Sequence, residues 1–103
     1  MSAGIDEMGP KELLAWANGL GICRFELDGD EVRCEGRNGE IRLDLGEFSE
    51  SIGGGRFVGF DFEDERDGYR AGSMPCRTLE EAAERIELRA VDLGLYAGQV
   101  MAF

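Results

Sequence analysis

The chain has no histidine, one lysine (Lys11), two prolines and three cysteines in 103 residues. Each scarcity removes a class of chemistry. Without imidazole there is no Ser–His or Cys–His nucleophile pair, the commonest general base is missing, and so is the usual nitrogen ligand of transition metals. Cys23, Cys34 and Cys76 are odd in number, fall in no C-x-x-C spacing and follow no apolar signal segment, so a reduced, cytoplasmic protein is expected. No apolar run approaches the ~20 residues a membrane helix needs. No metal or cofactor is indicated.

What is abundant is acid. Twenty-two carboxylates against eleven basic residues give a formal charge of -11. That excess disfavours direct contact with nucleic acid or anionic lipid, both polyanions, and favours a basic partner. The chain is also 43% hydrophobic. It should therefore fold around one core as a single domain, 1–103, rather than behave as a disordered acidic tail.

Residues 1–8 read as a loose lead-in. In GPKELLAWANG, Pro10 suits a first helical position and Gly19 a left-handed cap, predicting a short helix from Pro10 to Asn18 with Leu13, Leu14 and Ala17 on its apolar side. GICRFELDGDEVRCEGRNGEIRLDL alternates apolar and charged residues around DG and NG turn signals. It predicts a three-strand meander near 22–27, 31–36 and 40–45, burying Cys23, Phe25, Leu27, Val32, Cys34, Ile41, Leu43 and Leu45.

Charge suggests the register. A two-residue Asn38-Gly39 turn would set Arg37 against Glu40, Glu35 against Arg42 and Arg33 against Asp44, with Cys34 on Leu43 and Val32 on Leu45. In the preceding hairpin, a four-residue loop from Asp28 to Glu31 pairs Glu26 with Arg33 and Arg24 with Glu35, and so avoids the like charges that a two-residue Asp28-Gly29 turn would oppose. The outer face of the meander is then a lattice of compensating charges that sets register rather than a binding surface.

Gly46 to Gly55 breaks the alternation and ends in three glycines, which reads as a flexible glycine-rich loop. RFVGFDFE resumes a strand with Val58, Phe60 and Phe62 on one face and Phe57, Gly59, Asp61 and Glu63 on the other. A four-residue loop from Glu65 to Gly68 sets Glu63 opposite Arg70 and Phe62 opposite Ala71, leaving Asp64, Glu65 and Asp67 as an exposed tip. TLEEAAERIELRAVDLG opens with a Thr78/Glu81 capping box, places Leu79, Ala82, Ala83, Ile86, Ala90 and Leu93 at helical spacing, and meets Gly94 as a cap. The apolar tail, with Val100, Met101 and Phe103, suits an edge strand or a homo-oligomer contact. The fold class expected is α+β: an antiparallel sheet of five strands, or six if the tail adds one, packed by a short N-terminal and a longer C-terminal helix.

Candidate chemistry is sparse. SIGGGR lacks the Lys-Ser or Lys-Thr of a phosphate loop, and its spacing fits neither GxxxxGK nor GxGxxG. Fitting Glu63, Glu65 and Asp67 to a calcium loop around Gly68 leaves Met74 where the bidentate acid belongs. No carboxylate pair is marked out for acid–base work. Cys76 reads as a loop thiol whose pKa Arg77 could lower, with no partner base.

The remaining signal is a negative surface formed by Asp61, Glu63, Asp64, Glu65 and Asp67 together with Glu80, Glu84 and Glu87 of the last helix. It implies a small non-enzymatic protein that blocks a basic surface of a nucleic-acid-binding protein or toxin. In size and charge the chain is similar to the small acidic phage inhibitors, anti-CRISPR proteins and DNA mimics, that act on nucleic-acid-binding defence complexes. An immunity protein neutralising a toxin, and an acidic housekeeping subunit of a salt-adapted organism, are the other readings.

Overall fold

The computed structural model describes residues 4–66 and 68–93. They form a five-stranded antiparallel sheet in simple sequence order, with two helices, an α+β fold. The elements are α1 (Pro10–Gly19), β1 (Glu26–Asp28), β2 (Glu31–Glu35), β3 (Gly39–Glu47), β4 (Arg56–Asp64), β5 (Tyr69–Cys76) and α2 (Leu79–Leu93). The tail that suggested a sixth strand or an oligomer contact lies outside the described residues.

Helix α1 starts at Pro10, which has no N–H to leave unsatisfied, and Glu12 accepts the Gly9 N–H at 2.8 Å. Its end lies beyond the expected Gly19: the left-handed residue is Gly21, at φ 71°. Asn18 then clamps the returning chain, donating to the Phe25 carbonyl at 3.2 Å and accepting the Phe25 N–H at 2.7 Å. At α2, Thr78 Oγ1 accepts the Glu81 N–H at 3.1 Å, while the Glu81 carboxylate reaches one residue further back than a standard capping box, to the Arg77 N–H at 3.0 Å.

Both helices pack on one face of the sheet. Leu13 and Ala17 of α1, and Ala82, Ile86, Ala90 and Leu93 of α2, share a core with Val32, Ile41, Leu43, Val58, Phe60 and Phe62. Leu27, expected inside, is exposed because its strand is the sheet edge. The lead-in is not loose throughout: Ile5–Glu7 form a 3-10 turn, Met8 is 5% exposed, and Arg56 Nη1 donates to the Asp6 carbonyl at 3.1 Å. Cys76 is no loop thiol either. It closes β5, is fully buried, and burial pushes its pKa up.

The registers of β1–β2 and β4–β5 are those that charge predicted: Glu26 faces Arg33, Glu63 faces Arg70 and Phe62 faces Ala71; but Asp28 pairs with Glu31, so the first turn is the two residues Gly29-Asp30 rather than a four-residue loop, and Arg24 lies outside the ladder. The β2–β3 register is not the one that charge predicted. Val32 faces Leu43, Arg33 faces Arg42, Cys34 faces Ile41 and Glu35 faces Glu40, so the hairpin is slipped by two residues and like charges oppose each other. The turn residues are Arg37 and Asn38, closed by Gly36 N–H on the Gly39 carbonyl at 2.9 Å. Gly39 is needed as a strand residue, opposite Asp64, where any Cβ would run into the Glu63 carbonyl. Asn38 is held in turn, its carbonyl accepting the Glu65 N–H at 2.8 Å.

Strand β3 also runs two residues into the expected loop. Gly46 faces Phe57, whose ring lies over the space a side chain at 46 would fill, and Glu47 faces Arg56. The remainder folds through a 3-10 turn at Glu50–Ile52 and three left-handed glycines, Gly53, Gly54 and Gly55.

Candidate functional site

The sheet has a second face. Strand alternation turns Glu26 and Asp28 of β1, Glu31, Arg33 and Glu35 of β2, Glu40, Arg42 and Asp44 of β3, and Asp61 and Glu63 of β4 away from the helices. Among the described residues nothing covers this face. Strands β1–β4 place eight carboxylates and two guanidiniums on it, β5 adds Arg70 opposite Glu63, and the register orders them in rows. Glu26, Arg33, Arg42 and Asp61 make one row across four strands; Glu35, Glu40, Glu63 and Arg70 make the next.

The two arginines therefore stand side by side, held by acids on their own and neighbouring strands. Arg33 contacts Asp28 at 2.7 Å, Glu40 at 3.1 Å and Glu35 at 3.7 Å, and these acids, Asp28 first, keep it firmly protonated. Arg42 contacts Glu40 and Asp61, each at 3.4 Å. Glu40, bridging both guanidiniums, is only 9% exposed. Compensation is thus confined to the centre of the face. Among the described residues Glu26, Glu31, Asp44 and Glu63 make no ion pair. Asp44 is exposed, yet partial desolvation by the surrounding sheet, with Glu31 and Asp61 nearby, raises the carboxyl above its ordinary value.

The residues expected to form one negative patch do not share a surface. Asp61 and Glu63 point outward from β4, and Asp61 is already paired with Arg42. Asp64 is not part of an exposed tip. At 7% exposure it lies on the helix side, where its two oxygens take the Arg66 side chain at 3.0 and 2.8 Å and also the Arg66 N–H. That hydrogen bonding, led by the Arg66 side chain, holds its pKa below the usual carboxylate range. Glu65 is exposed in the turn, and Asp67 lies outside the described residues. Glu80, Glu84 and Glu87 are exposed on α2, on the opposite side of the sheet from Asp61 and Glu63. The physical reason is the layer itself: a strand whose even positions feed the core must send its odd positions away from the helix.

Helix α2 presents a different surface. Beside Glu84 and Glu87 it exposes Leu88 at 66% and Val91 at 58%. One end of the outer sheet face is capped by an aromatic stack, with the Phe48 and Phe57 centroids 4.6 Å apart and the Arg77 guanidinium 4.2 Å from the Phe48 centroid.

Glu26 and Asp44 do not stand out in the sequence as unpaired surface acids because the register that charge suggests pairs both with Arg33, and Glu31 falls in the expected loop. The available signal was GRNG itself, which admits a turn centred on Arg37-Asn38 as readily as one on Asn38-Gly39. No group of three or more metal-ligating side chains occurs among the described residues, and no helix among them is long and apolar enough to cross a membrane. Comparison with family models, curated proteins and solved structures gives no match.

Proposed function

We propose that this chain is a non-enzymatic binding protein whose uncovered sheet face blocks a basic surface of a partner, as a nucleic-acid mimic or phage-type inhibitor would. The observation that carries the reading is the imbalance on that face: eight carboxylates against Arg33, Arg42 and, at the β5 position opposite Glu63, Arg70, with Glu26, Glu31, Asp44 and Glu63 outside any ion pair among the described residues. A rigid sheet presents these acids in fixed rows, so little ordering is lost on binding. Carboxylates at such positions take the place of nucleic-acid phosphates against Lys and Arg of the target, and their field speeds encounter. The absence of histidine in the chain agrees with a binding role.

A second reading rests on α2. Leu88 and Val91 are exposed apolar anchors beside Glu84 and Glu87, a mixed surface of the kind an immunity protein uses against a toxin.

Capture from host lysate with two variants separates them. One variant changes Glu26, Glu31 and Glu63 to Gln and Asp44 to Asn; the other changes Leu88 and Val91 to Ser. The proposal expects a nucleic-acid-binding protein retained by the wild type and by the α2 variant, lost by the sheet variant, and released as salt shortens the screening length below ~10 Å. Loss with the α2 variant alone supports the toxin reading. Retention by both variants overturns both.

A further inference from the structure

We propose that Asn38 is a site of self-modification, deamidation through a cyclic imide formed with Gly39, and that the fold singles it out from a chemically identical site elsewhere in the chain. The proposal stands apart from the binding role. The dipeptide Asn-Gly occurs twice, at Asn18-Gly19 and at Asn38-Gly39. Glycine in second place leaves the attacking backbone nitrogen unhindered by a side chain, so both sites are competent in an unfolded chain. Exposure alone would favour Asn18, which is exposed where Asn38 is half-buried.

Hydrogen bonding reverses that order. The Asn18 amide is held at both ends by Phe25, at 3.2 Å and 2.7 Å, and Gly19 is the last residue of α1, so attack there requires both bonds to break and the helix end to unwind. The Asn38 side chain has no hydrogen-bond partner among the described residues. Its backbone carbonyl points to β4, where it accepts the Glu65 N–H at 2.8 Å; across a trans peptide the Gly39 N–H then points the opposite way, toward Gly36. There the turn is closed by one bond only. Gly36 N–H donates to the Gly39 carbonyl at 2.9 Å, and the Gly39 N–H makes no return bond to the Gly36 carbonyl. The nucleophilic nitrogen and the carbon it attacks are thus both unheld, in a turn whose other residues, Gly36 and Arg37, are exposed.

The only co-reactant is water. The Gly39 nitrogen gives up its proton and attacks Asn38 Cγ, a C–N bond forms, the bond from Cγ to Nδ2 breaks, and ammonia leaves with that proton to give a five-membered imide. One water then opens the ring. Attack at Cγ yields aspartate at position 38; attack at the backbone carbonyl carbon yields isoaspartate, whose main chain runs through the former side chain. Nothing is oxidised or reduced. Either product adds one negative charge opposite Glu65 and two residues ahead of Glu40, at the end of the outer sheet face. Isoaspartate also lengthens the backbone by one methylene at the residue that links the two hairpins.

Asn18 is the internal control. The test is to age the full chain in mildly alkaline buffer, folded in one sample and in denaturant in another, and to follow both sites by tryptic mapping and mass spectrometry, with an unaged digest subtracting conversion during handling. Trypsin separates the two asparagines, Asn18 in peptide Glu12–Arg24 and Asn38 between Cys34 and Arg42. In the folded chain the Asn38 peptide should gain the mass difference between water and ammonia at least ~10-fold faster than the Asn18 peptide, because only Asn18 must wait for local opening. In denaturant the two rates should converge, and electron-transfer fragmentation should find both aspartate and isoaspartate at position 38. Equal rates in the folded chain, faster conversion at Asn18, or an Asn38 that stays intact would overturn the proposal.

Discussion

One sheet has two faces built on opposite rules. On the inner face Val32, Ile41, Leu43, Val58, Phe60 and Phe62 are at most 2% exposed, and each is fixed by close packing under a helix. On the outer face of β1–β4 six of the ten charged residues are joined in ion pairs centred on Arg33 and Arg42, and direct cross-strand neighbours include Arg33 with Arg42 and Glu35 with Glu40. The difference teaches which face can be altered freely. Apolar packing has no substitute once removed, whereas solvent and rearranged partners can replace much of an outer ion pair.

The comparison can be broken hardest from inside. Phe60→Ala, in a site 1% exposed, should cost ~3–5 kcal/mol in denaturant unfolding, because burial is lost and a cavity remains. A loss under half of that would mean the inner face is looser than described. Gly39→Ala sits on the boundary between the two rules. Its Cβ meets the Glu63 carbonyl, so β3 must move from β4, and the expected cost is ~2 kcal/mol, read as a lowered denaturant midpoint.

Arg42→Leu tests the most enclosed part of the outer face. Its side chain is 18% exposed and Glu40's is 12%, so removal strands Asp61 and leaves Glu40 with Arg33 alone, at ~1–2 kcal/mol, less than for a fully buried pair. A cost near zero would show the face to be wholly solvated. The smallest effect has the opposite sign. Asp44 has a folded-state pKa raised above its ordinary 3.8, so its ionised form opposes folding. Asp44→Asn should raise stability at pH 7 by ~0.5 kcal/mol after allowance for solvent screening. That gain is complete above the folded pKa and disappears as pH falls below the unfolded value, which a pH series of unfolding curves measures. An advantage that grew in acid would reject the assignment.

Much of the architecture was legible in the sequence. Alternation assigned the faces of β2, β3 and β4, Pro10 and Thr78 marked the helix starts, and spacing in α2 picked out Ala82, Ile86, Ala90 and Leu93. The candidate site was less legible. Asp64 read as exposed because it belongs to an acid run, but its even position on β4 turns it toward α2 and Arg66 closes over it.

The β2–β3 hairpin shows where the boundary falls. A slip of one residue would have sent Val32 and Cys34 into water, so hydrophobic alternation alone excludes it. A slip of two keeps every side chain on its face, and local charge pairing then favoured the wrong choice. What decided the register lies outside the hairpin: the Asn38 carbonyl holds the Glu65 N–H, and β4 passes so close to Gly39 that only glycine fits. The sequence by itself thus determined which residues face the core and which face water, because that depends on a two-residue period. Tertiary contact with the next hairpin determined which charges meet, and so left four carboxylates unpaired among the described residues of the outer face.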